Sequence, residues 1–446
     1  MEQIPNSRVI TTTDYFEGQL EAALGRRLTE VTAMRKFMMT LGIAMLMMAV
    51  LTMRPPGSRA DDSIGGDWSA RLTTTSEGPC LQLELERSSW GHHSRWGNSH
   101  KLSDFAGLDS NIATAKDSPV HFEMRRDAGI ISFDGRFSGG EGHGKFTFAS
   151  SSDYVQGMKA LGYSGLSNEQ LFGFTMQDVS RQFVKDLADA GYRAQDPDQL
   201  MAFRIHGVSP EFARAMQQLL PSKPSADDLV AFRIHGASPE FTRGMIDVLP
   251  AKPSADDLVA MRIHGVNPDD TKTIDALLGK RFDVDQLVAF RIHGVSPDFV
   301  REVRETVSKD VSADDLVAMR IHGASPEFVK SMSSLLGHNL PVEQLVAFRI
   351  HGVSPEFTEE IQKLVAKDVS SDELVAFRIH GVSPEFVKSM KEAGYLKISP
   401  DQLVAMRIHG VDAEFVKEVR AHGYKDPSID DLIELRIHGL RHRESL

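Results

Sequence analysis

Cysteine is almost missing from this chain. Cys80 is the only one in 446 residues, so no internal disulfide or multi-cysteine zinc site is open to it, and packing must supply its stability. A lone thiol of this kind reads as a small buried hydrophobe. A surplus of positive charge is missing too. Fifty basic residues stand against 62 acidic ones, a formal charge of −12, which argues against nucleic acid because phosphate binding needs excess Lys and Arg. No P-loop, G-x-S-x-G elbow or H-E-x-x-H helix occurs, and no histidine precedes position 92. These absences point away from an enzyme and imply no cofactor. The hydrophobic share of 41% and charged share of 25% are those of a folded soluble protein, not of a disordered or multi-span membrane chain. The length suggests two or three domains.

Long apolar runs are absent with one exception. Phe37 to Met53 (FMMTLGIAMLMMAVLTM) carries no charge, follows Arg35-Lys36, and is followed by Arg54-Pro55-Pro56-Gly57-Ser58-Arg59-Ala60. Two readings stay open. In one, residues 34–60 are a signal peptide cleaved after Ala60, Met34 is the true start, and 1–33 lie upstream. In the other, the run is a single uncleaved anchor near the short limit for a spanning helix. Arg26, Arg27, Arg35 and Lys36 would then hold the tail 1–33 in the cytoplasm. Both place residues 61–446 outside the cytoplasm, either periplasmic or secreted, or tethered to the inner membrane.

Residues 61–150 read as a small β-rich domain. Asp67 to Leu72, Leu81 to Arg87, Val120 to Arg125 and Ile130 to Phe137 are short, partly alternating segments between turn residues, the pattern of strands. Phe137-Ser138-Gly139-Gly140-Glu141-Gly142-His143-Gly144 before Lys145-Phe146-Thr147-Phe148 predicts a hairpin. It is a poor nucleotide loop, because no helix opens after it. His92, His93 and His100 lie near Trp90 and Trp96 in a stretch that reads as polar loop. They are weak candidates for a transition metal, with a spacing that matches no closed site. The plainer reading is an exposed loop whose aromatic residues tuck against the sheet.

Internal periodicity dominates the rest. Arg-Ile-His-Gly recurs every 29 residues, with histidines at His206, His235, His264, His293, His322, His351, His380, His409 and His438. A degenerate unit around Gln177 keeps Leu171, Phe174, Val179 and Phe183, and Tyr154 opens half a unit before it. In one unit, Ser225 and Asp228 form a capping box, and Leu229, Phe232 and, less surely, Ile234 face inward. Gly236 then ends the helix. Ser238 caps a second helix with Pro239 in its first turn, whose stripe is Phe241, Met245 and Val248. Two such short helices cannot bury their stripes alone, so neighbouring hairpins must stack. The fold class is mainly α, an α-solenoid over 153–446 of about ten 29-residue helix-turn-helix repeats. Before it come the β-rich segment and the signal or anchor helix. Gly162-Tyr163, Gly191-Tyr192, Gly394-Tyr395 and Gly423-Tyr424 read as helix ends.

Equivalent residues of stacked repeats form rows. One row is Arg204, Arg233, Arg262, Arg291, Arg320, Arg349, Arg378, Arg407 and Arg436; the nine histidines form another. A structural role is expected first, because both sit in a last helical turn where cations favour the helix end. The arginines are also expected to reach glutamates of the next helix start, such as Glu211, Glu240 and Glu327. A second reading makes the histidines an acid-responsive row. Segments joining the units vary (PSKPSA, GKRFDV, GHNLPV) and read as an edge of loops open to a partner.

Asp372 to Tyr395 (DELVAFRIHGVSPEFVKSMKEAGY) resembles repeats from extracytoplasmic parts of bacterial membrane proteins related to beta-lactam-sensing antirepressor metallopeptidases. The RIHG-x-[SND]-P-E-F core carries the likeness, together with HFEMRRDAGIISFDGRFSGGEGHGKFTF and YVQGMKALGY ahead of it. The resemblance spans roughly residues 61–446. Those relatives carry a zinc peptidase with an H-E-x-x-H helix in their membrane-embedded half, which this sequence lacks. The resemblance thus implies the sensor or interaction half without catalysis. The leading expectation is a non-enzymatic extracytoplasmic scaffold that binds a protein, of unspecified identity, or an envelope polymer. The alternatives are a single-span sensor, contacting the membrane through one N-terminal helix, and an enzyme of unknown type.

Overall fold

A computed structural model describes residues 64–439 of the protein, except 77, 90, 91 and 195. The tail 1–33, the run Phe37 to Met53 and the cleavage position after Ala60 lie outside the described residues. No helix among the described residues is long and apolar enough to cross a membrane. The fold is mainly helical, with 21 α-helices among the described residues behind an antiparallel sheet. It divides into two compact units. One ends at Gln218 and takes in Pro224–Ile234; the other is Leu219–Lys223 with His235–Leu446.

The first unit opens with seven strands, β1 (Ile64–Thr75), β2 (Gly78–Ser89), β3 (His92–Lys101), β4 (Phe105–Ala106), β5 (Ser118–Arg126), β6 (Gly129–Ser138) and β7 (Glu141–Ser150). Their order is β3-β2-β1-β7-β6-β5-β4. Alternation explains the strands: Leu81, Leu83 and Leu85 are fully buried while Gln82 between them and Glu86 after them face solvent. The β6–β7 hairpin pairs Ser138 with Glu141 around Gly139 (φ +59°) and Gly140 (φ +91°), a two-residue turn that favours glycine at both positions.

The stretch around His92, His93 and His100 is a strand, not the expected loop. β3 pairs with β2 from Ser89 opposite His92 to Cys80 opposite Lys101. It occupies an edge of the sheet, where a polar Ser- and His-bearing strand is tolerated and blunts further pairing. Its backbone partners were hidden because the stretch lacks apolar alternation.

Trp68 is the centre of the sheet's core. Its ring lies 5.3 Å from Phe122, 6.1 Å from Phe133 and 5.6 Å from Phe137, and its indole N–H donates to the Asp134 carbonyl at 3.2 Å. Gly135 and Gly144 make room for it, since a Cβ on either would come within 2.7 Å of the indole. Towards the repeats, Phe172 of the helix Asn168–Met176 packs on Phe146, Phe148 and Trp96 at 5.9, 5.5 and 5.5 Å. Arg181 adds hydrogen bonds to both carboxylate oxygens of Asp127 and to Asp153. The sheet and the first helical units therefore pack together within this unit.

In the second unit the repeat is regular. Ser312 and Asp315 form a reciprocal capping box on the helix Ala313–His322, which ends at Gly323 with φ +71°. Ser325 then caps the helix Pro326–Leu336, with Pro326 in its first turn. Leu316, Met319 and Met332 are fully buried. Ala313–His322 lies against Val342–His351 and Pro326–Leu336 against Pro355–Leu364, so first helices meet first helices and second meet second.

One sequence expectation is reversed. Ile234 was expected inward, but it is 41% exposed. Two residues beyond the fully buried Phe232, it lies about 200° around the helix, which turns it to solvent.

Candidate functional site

The Arg-Ile-His-Gly segment is the joint between repeats. Its arginine does not reach forward to the next helix; it reaches back to the preceding repeat. The guanidinium of Arg233 lies 5.1 Å from the centre of the Phe212 ring, Arg262 lies 4.9 Å from Phe241, Arg349 5.0 Å from Phe328 and Arg378 4.9 Å from Phe357. Arg320, Arg407 and Arg436 cover Phe299, Phe386 and Phe415 in the same way. Each is a cation–π contact 21 residues back along the chain, worth about 0.5–2 kcal/mol depending on exposure.

The same guanidinium also finishes a helix. Nε of Arg233 donates to the carbonyl of His206, Arg262 to His235, Arg349 to His322 and Arg378 to His351, at 3.3–3.4 Å. The accepting oxygen belongs to a helix end whose carbonyls lack intrahelical partners. The histidine thus contributes its backbone to the joint, whatever its ring does. The glycine that follows has two reasons to be glycine. Gly352 has φ +72°, and a Cβ there would meet Nη2 of Arg378 at 2.9 Å.

Two variations show how the joint adapts. In the degenerate first unit, Asp178 replaces the glycine, adopts φ +54°, and pairs with Nη2 of Arg204 at 2.9 Å. Nε of Arg204 still donates to the Gln177 carbonyl and its guanidinium covers Phe183. Further along, Asp270 stands where the other repeats place phenylalanine, and Arg291 forms an ion pair with it at 3.0 Å.

The expected partners of the arginines have other neighbours. Glu211 and Glu240 face Arg214 at 4.0 Å and Arg243 at 3.7 Å on their own helices. Glu327 is held below the usual carboxylate range by its own backbone N–H and by Ser325. These carboxylates bend back to cap their own helix starts, which leaves the arginines to the aromatic rings.

Burial lowers the pKa of His206, His235 and His351 from the ordinary value. In the sheet, burial likewise lowers His100, with Asp104 opposing it. The His100 ring sits edge-on to Phe105 at 5.9 Å, and its Nε2 is buried without a hydrogen-bond partner. Among the described residues no group of three His, Cys, Asp or Glu side chains could hold a metal ion. Cys80 is 7% exposed. Both clefts worth naming are shallow: one of about 330 Å³ beside Phe183, Arg204 and Glu211, and one of about 400 Å³ beside Leu364, Leu396 and Gln402. No family model matches the chain, and no curated protein matches it.

The backward reach of the arginines escaped sequence reasoning. A usable signal was present: an acidic residue, Asp270, at a position that is aromatic in the other repeats, 21 residues before an arginine. A charge placed where an aromatic ring stands elsewhere suggests a cation as the common partner. The second feature missed is the row of exposed isoleucines within the same motif.

Proposed function

We propose that the protein is a non-catalytic extracytoplasmic binding protein whose repeats build an α-solenoid, and that its extended surface takes up a protein partner. One observation carries this reading: the same joint, arginine on the preceding ring and helix end, recurs from repeat to repeat. A joint that recurs lengthens a surface with each repeat and encloses little volume, which suits recognition of a large partner. The shallow clefts are in keeping with it. The basic-flanked run Phe37 to Met53 and the residues up to Ala60 support export. The stretch Asp372 to Tyr395 resembles, by its sequence alone, the extracytoplasmic half of sensor proteins, and the chain carries no H-E-x-x-H motif.

The test joins location to binding. The mature protein is recovered from cytoplasmic, membrane and extracytoplasmic fractions of its host and its N terminus is sequenced. Photo-crosslinkers at exposed repeat positions then trap neighbours. A chain starting near Asp61 outside the cytoplasm, with a discrete protein crosslink, is expected. An intact chain confined to the cytoplasm, or repeats that crosslink to nothing, would remove the proposal.

A further inference from the structure

The isoleucine of the motif is only about half covered by its own protein. In the second unit Ile263, Ile292, Ile350, Ile379, Ile408 and Ile437 are 36–56% exposed. A single exposed isoleucine is ordinary, and a β-branched residue in a last helical turn gains nothing from helix propensity. Here the first helices of successive repeats lie side by side, so these residues form a row in which the equivalent Ile321 is half-buried. Exposed apolar side chains repeated along one side are the kind of surface that interaction sites use.

A second row runs beside it. Seven residues before those isoleucines stand Asp256, Asp285, Glu343, Asp372, Asp401 and Asp430, all exposed. Seven residues are nearly two full turns, so acid and isoleucine share one face of each helix, about 10 Å apart. The residues between them on that face, such as Val346 and Val375, are buried. The acids complement the dipole at the helix start, but that would hold equally for one facing any direction. The intervening arginines are held on the rings of the preceding repeat and do not reach across to these acids.

We infer that this face of the second unit docks a cationic amphipathic helix of a partner protein, its apolar stripe on the isoleucines and its basic flank on the acids. The inference rests on the binding reading above and names the partner's chemistry. Adjacent packed helices lie about 8–10 Å apart, which corresponds to about five to seven residues of α-helix at 1.5 Å each. A partner helix with an apolar residue about every two turns therefore stays near the row over a few successive repeats. The acid row and the chain's net charge of −12 select for lysine and arginine on the partner and disfavour an acidic one.

The full chain is titrated into a fluorescent peptide about four heptads long, with leucines in a stripe and lysines on its flank. Controls are a scrambled peptide of equal composition and one with glutamate for lysine. The striped cationic peptide is expected to bind about tenfold or more tighter than either control, and to weaken with salt. Ile350→Ser, Ile379→Ser and Ile408→Ser together should lose about tenfold, as expected from removing partly exposed apolar contacts. Glu343→Gln, Asp372→Asn and Asp401→Asn together should lose binding severalfold and flatten its salt dependence. Circular dichroism confirms that both triple variants remain folded, and either one alone suffices for the test. Equal binding of the scrambled peptide, no binding of the striped one, or indifference to both triple variants would overturn the inference. A host protein crosslinked equally by wild type and the serine variant would also overturn it, while leaving the broader binding reading intact.

Discussion

In the sheet, Trp68 is held by Phe122, Phe133 and Phe137, with space cleared by Gly135 and Gly144, and none of these contacts has a second copy. In the repeats, the arginine-on-phenylalanine contact of Arg233 with Phe212 returns in Arg349 with Phe328 and again in Arg378 with Phe357. The sheet concentrates its stability in one aromatic cluster built from distant parts of the chain. The repeats spread theirs over many equivalent joints, each modest and each local. Loss of a joint should therefore be felt near its own repeat, whereas loss of the tryptophan should be felt across the sheet.

The largest effect expected is from Trp68→Ala, which should cost about 3–5 kcal/mol by leaving a cavity among rings. It is read as the loss of the sheet's thermal transition and of amide protection across β1, β6 and β7. A cost no greater than that of Met319→Ala in a repeat would break the contrast. Next come two glycines with nearly the same backbone. Gly279→Ala meets only its left-handed conformation, φ +68° with nothing within 4 Å, and should cost about 1–2 kcal/mol. Gly352→Ala has the same strain and also displaces Arg378, so chemical denaturation should show a larger loss, by about 0.5–2 kcal/mol. Equal costs would mean that the close approach of the arginine contributes little.

Asp270→Phe sharpens the comparison within the repeats. It exchanges the half-exposed ion pair with Arg291 for the ring contact of the other joints, so stability should change by no more than about 1 kcal/mol. Its dependence on salt should decline, as seen by melting across ionic strengths. A melt as salt-sensitive as wild type would show that the pair contributes nothing measurable.

The smallest effect is that of acid. His100, His206, His235 and His351 are lowered from 6.5 by burial, so the unfolded chain takes up protons first as pH falls. Their contribution is whole above pH 6.5 and declines from there towards the lower folded-state values. The melting temperature should fall modestly between about pH 7.5 and 5.5, and less in His351→Gln. A flat profile would remove the acid-responsive reading of the histidine row.

Much of this architecture was legible because its causes are local. Ser225 with Asp228, and Ser238 ahead of Pro239, announce helix starts within four residues, and both caps form. Leu81, Leu83 and Leu85 announce a half-buried strand by alternation alone. The edge strand β3 escaped because its partner β2, not its own composition, makes it a strand. Ile234 was misjudged because inward and outward positions alternate quickly at a helix end, and a two-residue step from Phe232 crosses the helix. The arginine row was visible as copies, but its target lies on another hairpin. Copy number says nothing about direction.

Direction has a consequence of its own. Each joint is made by a later arginine grasping an earlier ring and an earlier helix end, as when Arg378 covers Phe357 and donates to the His351 carbonyl. Removing whole repeats from the C-terminal end leaves a ring uncovered and a carbonyl open to water, both mild losses. Removing them from the other end returns a guanidinium to water, where it is readily hydrated. The two cuts thus expose different chemistry, a bare ring and an open helix end in one case and a hydrated cation in the other. A chain emerging from its N-terminal end can latch each new hairpin onto one already complete, like a ratchet that advances one tooth at a time.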